Sequence, residues 1–134
     1  MKVLVYVEGP GDRAAVEALL KPIIESASTR RIGVRFLPAS GAGVGKDWLL
    51  RHVGRKAAGH FSENPEDWVF ALPDLYPMAN YRGTVDAHES FEQLKDLLES
   101  RFEESAKRLA VPHAVRNHFQ IHCLKPSRCF CFLH

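Results

Sequence analysis

The run Val3-Leu4-Val5-Tyr6-Val7 ends in a single step at Glu8-Gly9-Pro10-Gly11-Asp12, and that break constrains what the rest of the chain can build. Val3, Leu4, Val5 and Val7 are β-formers with too little polarity among them for a strand that is wet on one face. The run therefore reads as a strand covered on both faces, as in a parallel sheet. Gly9-Pro10-Gly11 must stop it. Asp12 stands where a carboxylate can cap a following helix by accepting the unpaired amide hydrogens of the first turn. Glu8 then lies at the carboxyl end of a central strand, the edge at which open α/β sheets bind their ligands.

The same alternation of short apolar run and helical stripe recurs downstream. Val16, Leu19, Leu20, Ile23 and Ile24 repeat at helical spacing and predict a first helix to about Glu25. Pro22 should loosen its last turn, because proline cannot donate to the residue four before it; residues 26–31 read as a polar connection. Residues 33–37 alternate and predict a second strand stopped by Pro38. The glycine-rich stretch 40–45 leads into a helix over about 46–60, with Leu49, Leu50, Val53 and Ala57 on its buried side. Residues 68–72 are apolar throughout and predict a third, central strand, which ends at Pro73-Asp74 with an acid again at the carboxyl edge. After an exposed loop over 75–84, an amphipathic helix is predicted from about Asp86 to Leu109, with Phe91, Leu94, Leu98, Phe102 and Leu109 in one stripe. Residues 119–122 predict a short fourth strand. Strands and helices that alternate with no hairpin signal imply right-handed crossovers. The expected fold is α/β, with a central, mostly parallel four-stranded sheet flanked by helices.

A chain of 134 residues is one domain, long enough to bury a core and too short to divide. No apolar run approaches the ~20 residues needed to span a bilayer, and the start lacks the pattern of a secretory signal, so a cytoplasmic location is expected and a membrane is not. The formal net charge of +2 is too small to argue for nucleic acid by itself, but charge is unevenly spread. Between Asp86 and Glu104 seven acids face two basic residues, whereas the helix at 46–60 carries Lys46, Arg51, Arg55 and Lys56 against Asp47. Both patterns fit solvated helix faces. The basic helix also fits an approach to a phosphodiester backbone, with Lys46 and Arg51 as candidate contacts.

Glu8 and Asp74 arrive at the carboxyl ends of two strands expected to be neighbours. Their oxygens can then converge on one hard cation such as Mg²⁺, which takes one or two carboxylates and keeps waters for a phosphate substrate. A strand-end acid also serves as a cap or turn residue, and for either residue alone that role is the commoner one. Asp12 joins the pair as a third candidate ligand if its helix starts close by. The phosphate-loop reading of the glycine stretch fails: Ser40 stands where the first glycine should be, and Asp47 rather than Ser or Thr follows Gly45-Lys46. His113, His118, His122 and His134 with Cys123, Cys129 and Cys131 suggest zinc, but gaps of five residues and one residue between the cysteines do not match a two-by-two knuckle. No Gly-x-Ser-x-Gly element supports a nucleophilic triad.

Val7-Glu8-Gly9-Pro10-Gly11-Asp12 followed by an apolar helix resembles the first motif of TOPRIM domains, the Rossmann-like fold shared by topoisomerase, primase and overcoming-lysogenization-defect nuclease catalytic domains. The apolar strand ending in Asp74 sits where the second acidic motif of that fold falls. The chain is most similar to a family of small TOPRIM-like proteins, some associated with AAA-type ATPases and phage defence, in which a strand ends in Asp-x-Tyr as Asp74-Leu75-Tyr76 does. The resemblance implies that Glu8 is a metal ligand or general acid/base and that Asp74, with Asp12, holds Mg²⁺ or Mn²⁺. It implies phosphodiester chemistry on nucleic acid, nuclease cleavage above all, with an AAA-type ATPase as partner. Its alternative is a catalytically weak or inactive interaction subunit of an ATPase-linked defence system. In the wider fold the second motif is Asp-x-Asp; here Tyr76 replaces its second acid, and a phenol is a poor Mg²⁺ ligand. Asp86 or Glu89 is then the candidate third acid. The TOPRIM-like domain is expected over 1–122. The acid-free stretch 123–134 reads as an atypical tail of a truncated or frame-altered end.

Overall fold

The computed structural model describes residues 1–8, 10–38, 45–73 and 91–122. Its elements run β1 (Lys2–Val7), α1 (Pro10–Leu19), α2 (Lys21–Thr29), β2 (Gly33–Pro38), α3 (Gly45–Glu63), β3 (Trp68–Leu72), α4 (Phe91–Arg108), α5 (His113–Arg116) and β4 (Phe119–Ile121). The strands form one four-stranded sheet in the order β2-β1-β3-β4, and every pairing is parallel. The α/β fold class expected from the sequence is therefore present. Nothing in the architecture identifies the TOPRIM family as such.

β1 lies between β2 and β3, which explains its unbroken apolar run: neighbours in sequence must both be buried, one on each face. Leu4 joins a core with Leu49, Val53, Ala57 and Phe61 of α3, Leu94, Leu98 and Phe102 of α4, and Val69, Ala71, Phe119 and Ile121 of the sheet. Val5 and Val7 join the opposite core with Val16 of α1, Phe36 and Leu72, against which Leu20 and Ile24 pack. Helices α1 and α2 thus cover one face and α3 and α4 the other. Such a division follows when right-handed crossovers run first outward from β1 to β2 and then back across β1 to β3.

Several element boundaries differ from the sequence expectation. The predicted first helix is two helices. Pro22 falls in the first turn of α2, where its missing amide hydrogen leaves no intrahelical bond unmade. The ladder bridges the join through Leu20 N–H to Val16 O and Ile24 N–H to Leu20 O, both 2.9 Å. Leu19 and Ile23 point outward, at 46% and 65% exposure, so the buried stripe is narrower than the spacing suggested. Residues 26–29 are helical rather than a connection. The turn after them closes by Arg31 N–H to Ser28 O and Ile32 N–H to Ala27 O, with Arg31 at φ 62°, a Schellman cap built without glycine. A second cap of this kind ends α4: Ala110 at φ 57° donates to Lys107 O, and Val111 to Ala106 O. Leu109, predicted in the buried stripe, lies just past that helix and is 42% exposed. The described part of α4 begins at Phe91, and the predicted start at Asp86 lies outside the described residues. α5 was not expected, since one turn after Pro112 is too short to show a period.

Candidate functional site

The sheet contains one point at which the chain's direction of travel reverses. From β1 it passes to β2 on one side, and from β3 to β4 on the other. In open α/β sheets the crevice at the carboxyl ends of the two strands flanking that reversal is the ligand site. Here those strands are β1 and β3, as the sequence reading required. Their register pairs Val5 with Phe70, Tyr6 with Ala71 and Val7 with Leu72. One step further it sets Glu8 opposite Pro73.

Glu8 is half-buried immediately beyond β1. Val7 is fully buried beneath it and fixes where the chain leaves the sheet. Pro73 is likewise buried and leads directly into Asp74, which lies outside the described residues together with Tyr76, Asp86 and Glu89. Asp12 is not a cap: α1 begins at Pro10, a favoured first helical residue, so Asp12 is third in the helix. There a carboxylate still suits the positive end of the helix dipole. Lys46 is the second residue of α3. The side chains of Asp12 and Lys46 are outside the described set. The described donor at the crevice is thus Glu8, a hard oxygen ligand of the type Mg²⁺ and Mn²⁺ accept. Among the described residues no group of three or more His, Cys, Asp or Glu gathers to hold a metal ion.

The zinc alternative loses its histidines to separate duties. His118 Nδ1 is 2.9 Å from the Asp67 carbonyl oxygen, and its ring stacks on Trp68 with centroids 4.3 Å apart. His122 stacks on Phe70, and its pKa is pushed down by burial and then by Lys95. His113 is exposed on α5; His134 and the three cysteines lie outside the described residues.

Arg51, the remaining candidate, is exposed on α3 and has company that sequence reasoning missed. Together with Arg55 it lines an open cleft of about 340 Å³ whose other wall is Arg101, Glu104, Ser105 and Arg108 of α4. The two helices approach closely at Gly54, where a Cβ would lie 2.8 Å from the Phe102 backbone nitrogen. The spacings Arg51/Arg55 and Arg101/Ser105/Arg108 each mark one helix face. A glycine midway along α3 signals a close approach. Those two signals were available in the sequence; which helix would be the neighbour was not.

A second cluster missed from the sequence sits at the amino end of the sheet. Asp67 is 3% exposed. Its Oδ1 accepts the Lys2 amide at 2.8 Å, and its Oδ2 accepts His60 Nε2–H at 2.8 Å. Burial raises its pKa, but the bonds from Lys2 and His60 outweigh that and hold the carboxyl below its ordinary value. The carboxylate ties the start of β1 to the end of α3, and its place opposite the ligand-binding edge marks it as structural.

Comparison with protein-family models, with curated proteins and with solved structures finds no match for this chain. Among the described residues no helix is long and apolar enough to cross a membrane.

Proposed function

We propose that this chain is a metal-dependent phosphodiester-cleaving domain acting on nucleic acid, a TOPRIM-like nuclease, with Glu8 and Asp74 as its acids. The observation that carries the reading is the parallel pairing of β1 with β3 at the topological reversal. It sets Glu8 opposite the residue that precedes Asp74, at the edge where such sheets take ligands. The resemblance of residues 7–12 to the first TOPRIM motif supplies the chemical class, and the likeness of Asp74-Leu75-Tyr76 to the small TOPRIM-like family supplies an AAA-type ATPase as partner; the cytoplasmic setting rests on the start of the sequence lacking a secretory-signal pattern.

Glu8 follows directly on a buried strand, so its backbone is held at the edge of the crevice. A carboxylate so placed can fix a cation or take the proton of an attacking water. Bound there, Mg²⁺ or Mn²⁺ would set positive charge against the phosphate. Asp12, in the first turn of α1, is the additional acid closest in sequence to this edge.

The test pairs calorimetry with cleavage. With Mg²⁺ or Mn²⁺ the parent is expected to bind the ion and cut or nick nucleic acid. Glu8→Gln and Asp74→Asn, which keep size and remove charge, should lose both activities, and Tyr76→Phe neither. No divalent binding at millimolar concentration, with amide variants indistinguishable from the parent, refutes the enzyme and leaves the non-catalytic interaction subunit.

A further inference from the structure

The cleft between α3 and α4 gathers four arginines, Arg51, Arg55, Arg101 and Arg108, against one acid, Glu104. Among the described residues no carboxylate lies within salt-bridge distance of any of the four guanidinium groups. The polar neighbours they have are weak: Arg55 is 3.3 Å from His52 Nδ1, and Arg108 donates to the Ser105 hydroxyl at 3.4 Å. Glu103, the neighbour of Glu104 on α4, is taken by Arg116 at 2.8 Å. The like charges are not dispersed by the fold. Contact of the two helices at Gly54 holds their arginine rows side by side. His52 reports the resulting potential: its pKa is lowered by desolvation, and then by Arg55, Arg51, Lys56 and Arg101.

We propose that this cleft is a binding site for the phosphate backbone of duplex nucleic acid, with Arg51, Arg55, Arg101 and Arg108 as its phosphate contacts. Arginine's planar fork suits phosphate oxygens better than a point charge does. Along its axis α3 separates Arg51 from Arg55 by about 6 Å, and α4 separates Arg101 from Arg108 by about 10 Å. Each row spans more than one phosphate, and the two rows side by side can meet four phosphates of a duplex, one per guanidinium. The lining contains no aromatic or apolar side chain. Stacking on unpaired bases, which single-strand binders use, is therefore absent from the cleft, and backbone contacts that position without reading sequence remain. The assignment rests on the phosphodiester reading for the identity of the polyanion, but its residues are separate from Glu8.

The experiment is fluorescence anisotropy of the full chain with a labelled 20-base-pair DNA duplex of arbitrary sequence. EDTA is present throughout, so that a metal-dependent site cannot contribute. Four phosphate contacts set a slope of log K against log salt of about −3.6. Affinity should then fall roughly 150-fold between 50 and 200 mM salt. Arg55→Gln combined with Arg101→Gln should bring the slope to about −1.8, while Arg30→Gln, on the exposed end of α2, leaves it unchanged. In the parent, NMR titration of His52 should move to higher pH on duplex binding, a readout independent of any variant's folding. Absence of duplex binding in EDTA at 50 mM salt, or a slope indifferent to the arginine pair, overturns the inference. Polyglutamate displacing the duplex at equal charge overturns the choice of phosphate. The divalent-dependent cleavage assay judges the Glu8 reading separately in either case.

Discussion

Two glycines in α3, five residues apart, should respond in opposite directions to the same substitution. A Cβ built at Gly54 meets the Phe102 backbone nitrogen at 2.8 Å, the Leu98 carbonyl oxygen at 3.1 Å and the Arg101 carbonyl carbon at 3.2 Å. These are backbone atoms of α4 and cannot swing aside, so Gly54→Ala must push the helices apart. Separation loosens the contact of Leu49, Val53 and Ala57 with Leu94, Leu98 and Phe102. Overpacking of this kind costs about 1–3 kcal/mol, of which alanine's helix propensity returns about 1 kcal/mol; the larger part of that range leaves a net loss of about 1–2 kcal/mol. At Gly59 no atom lies within 4 Å of the added Cβ. There the propensity gain stands alone, and Gly59→Ala should stabilise by about 0.5–1 kcal/mol. With an unfolding entropy of roughly 2.1 cal/mol/K per residue, 1 kcal/mol moves Tm by about 3.5 °C in a chain of this length. Calorimetry should therefore show Gly54→Ala melting about 4–7 °C lower and Gly59→Ala about 2–4 °C higher. Shifts of the same sign, or a stabilised Gly54→Ala, would refute the backbone contact between α3 and α4, and with it the geometry that assembles the arginine cleft.

Asp67→Ala removes the acceptor of both the Lys2 amide and His60. Two donors left without a partner cost about 2–5 kcal/mol in urea unfolding at pH 7, and a loss under 0.5 kcal/mol would show that water replaces the carboxylate. Because the Asp67 pKa is lowered by folding, its contribution is complete above the unfolded value near 3.8 and is lost as pH falls through the lower folded value. The gap between parent and variant should accordingly narrow only in that acid range. Ala110→Gly and Arg31→Gly place glycine where φ is 57° and 62°, so each should stabilise by about 1 kcal/mol. A neutral or negative change in thermal unfolding would mean that the left-handed turns carry no strain.

Local patterns determined the elements. Val3 to Val7 had to be a strand covered on both faces, because no residue in it tolerates water better than a neighbour. Pro10 and Pro22 sit in helix first turns because proline is harmless only there, which is why one apolar stripe became two helices. The end of β1 at Glu8 was legible for the same reason: an apolar run interrupted by a charge shows where the sheet stops. The full strand order was not legible in this way, although β1 and β3 were expected as neighbours. That β1 lies beside β3, with Glu8 opposite Pro73, depends on which pairings bury both faces of β1 at once, a condition on residues more than sixty positions apart. Arg101 and Arg108 meet Arg51 and Arg55 only because Gly54 admits α4 against α3. Asp67 acquired its role only when β1 and α3 converged on its two oxygens. In each case spacing along the chain specifies which face of an element a side chain occupies, whereas its neighbour across the gap is chosen by the joint burial of distant apolar surfaces.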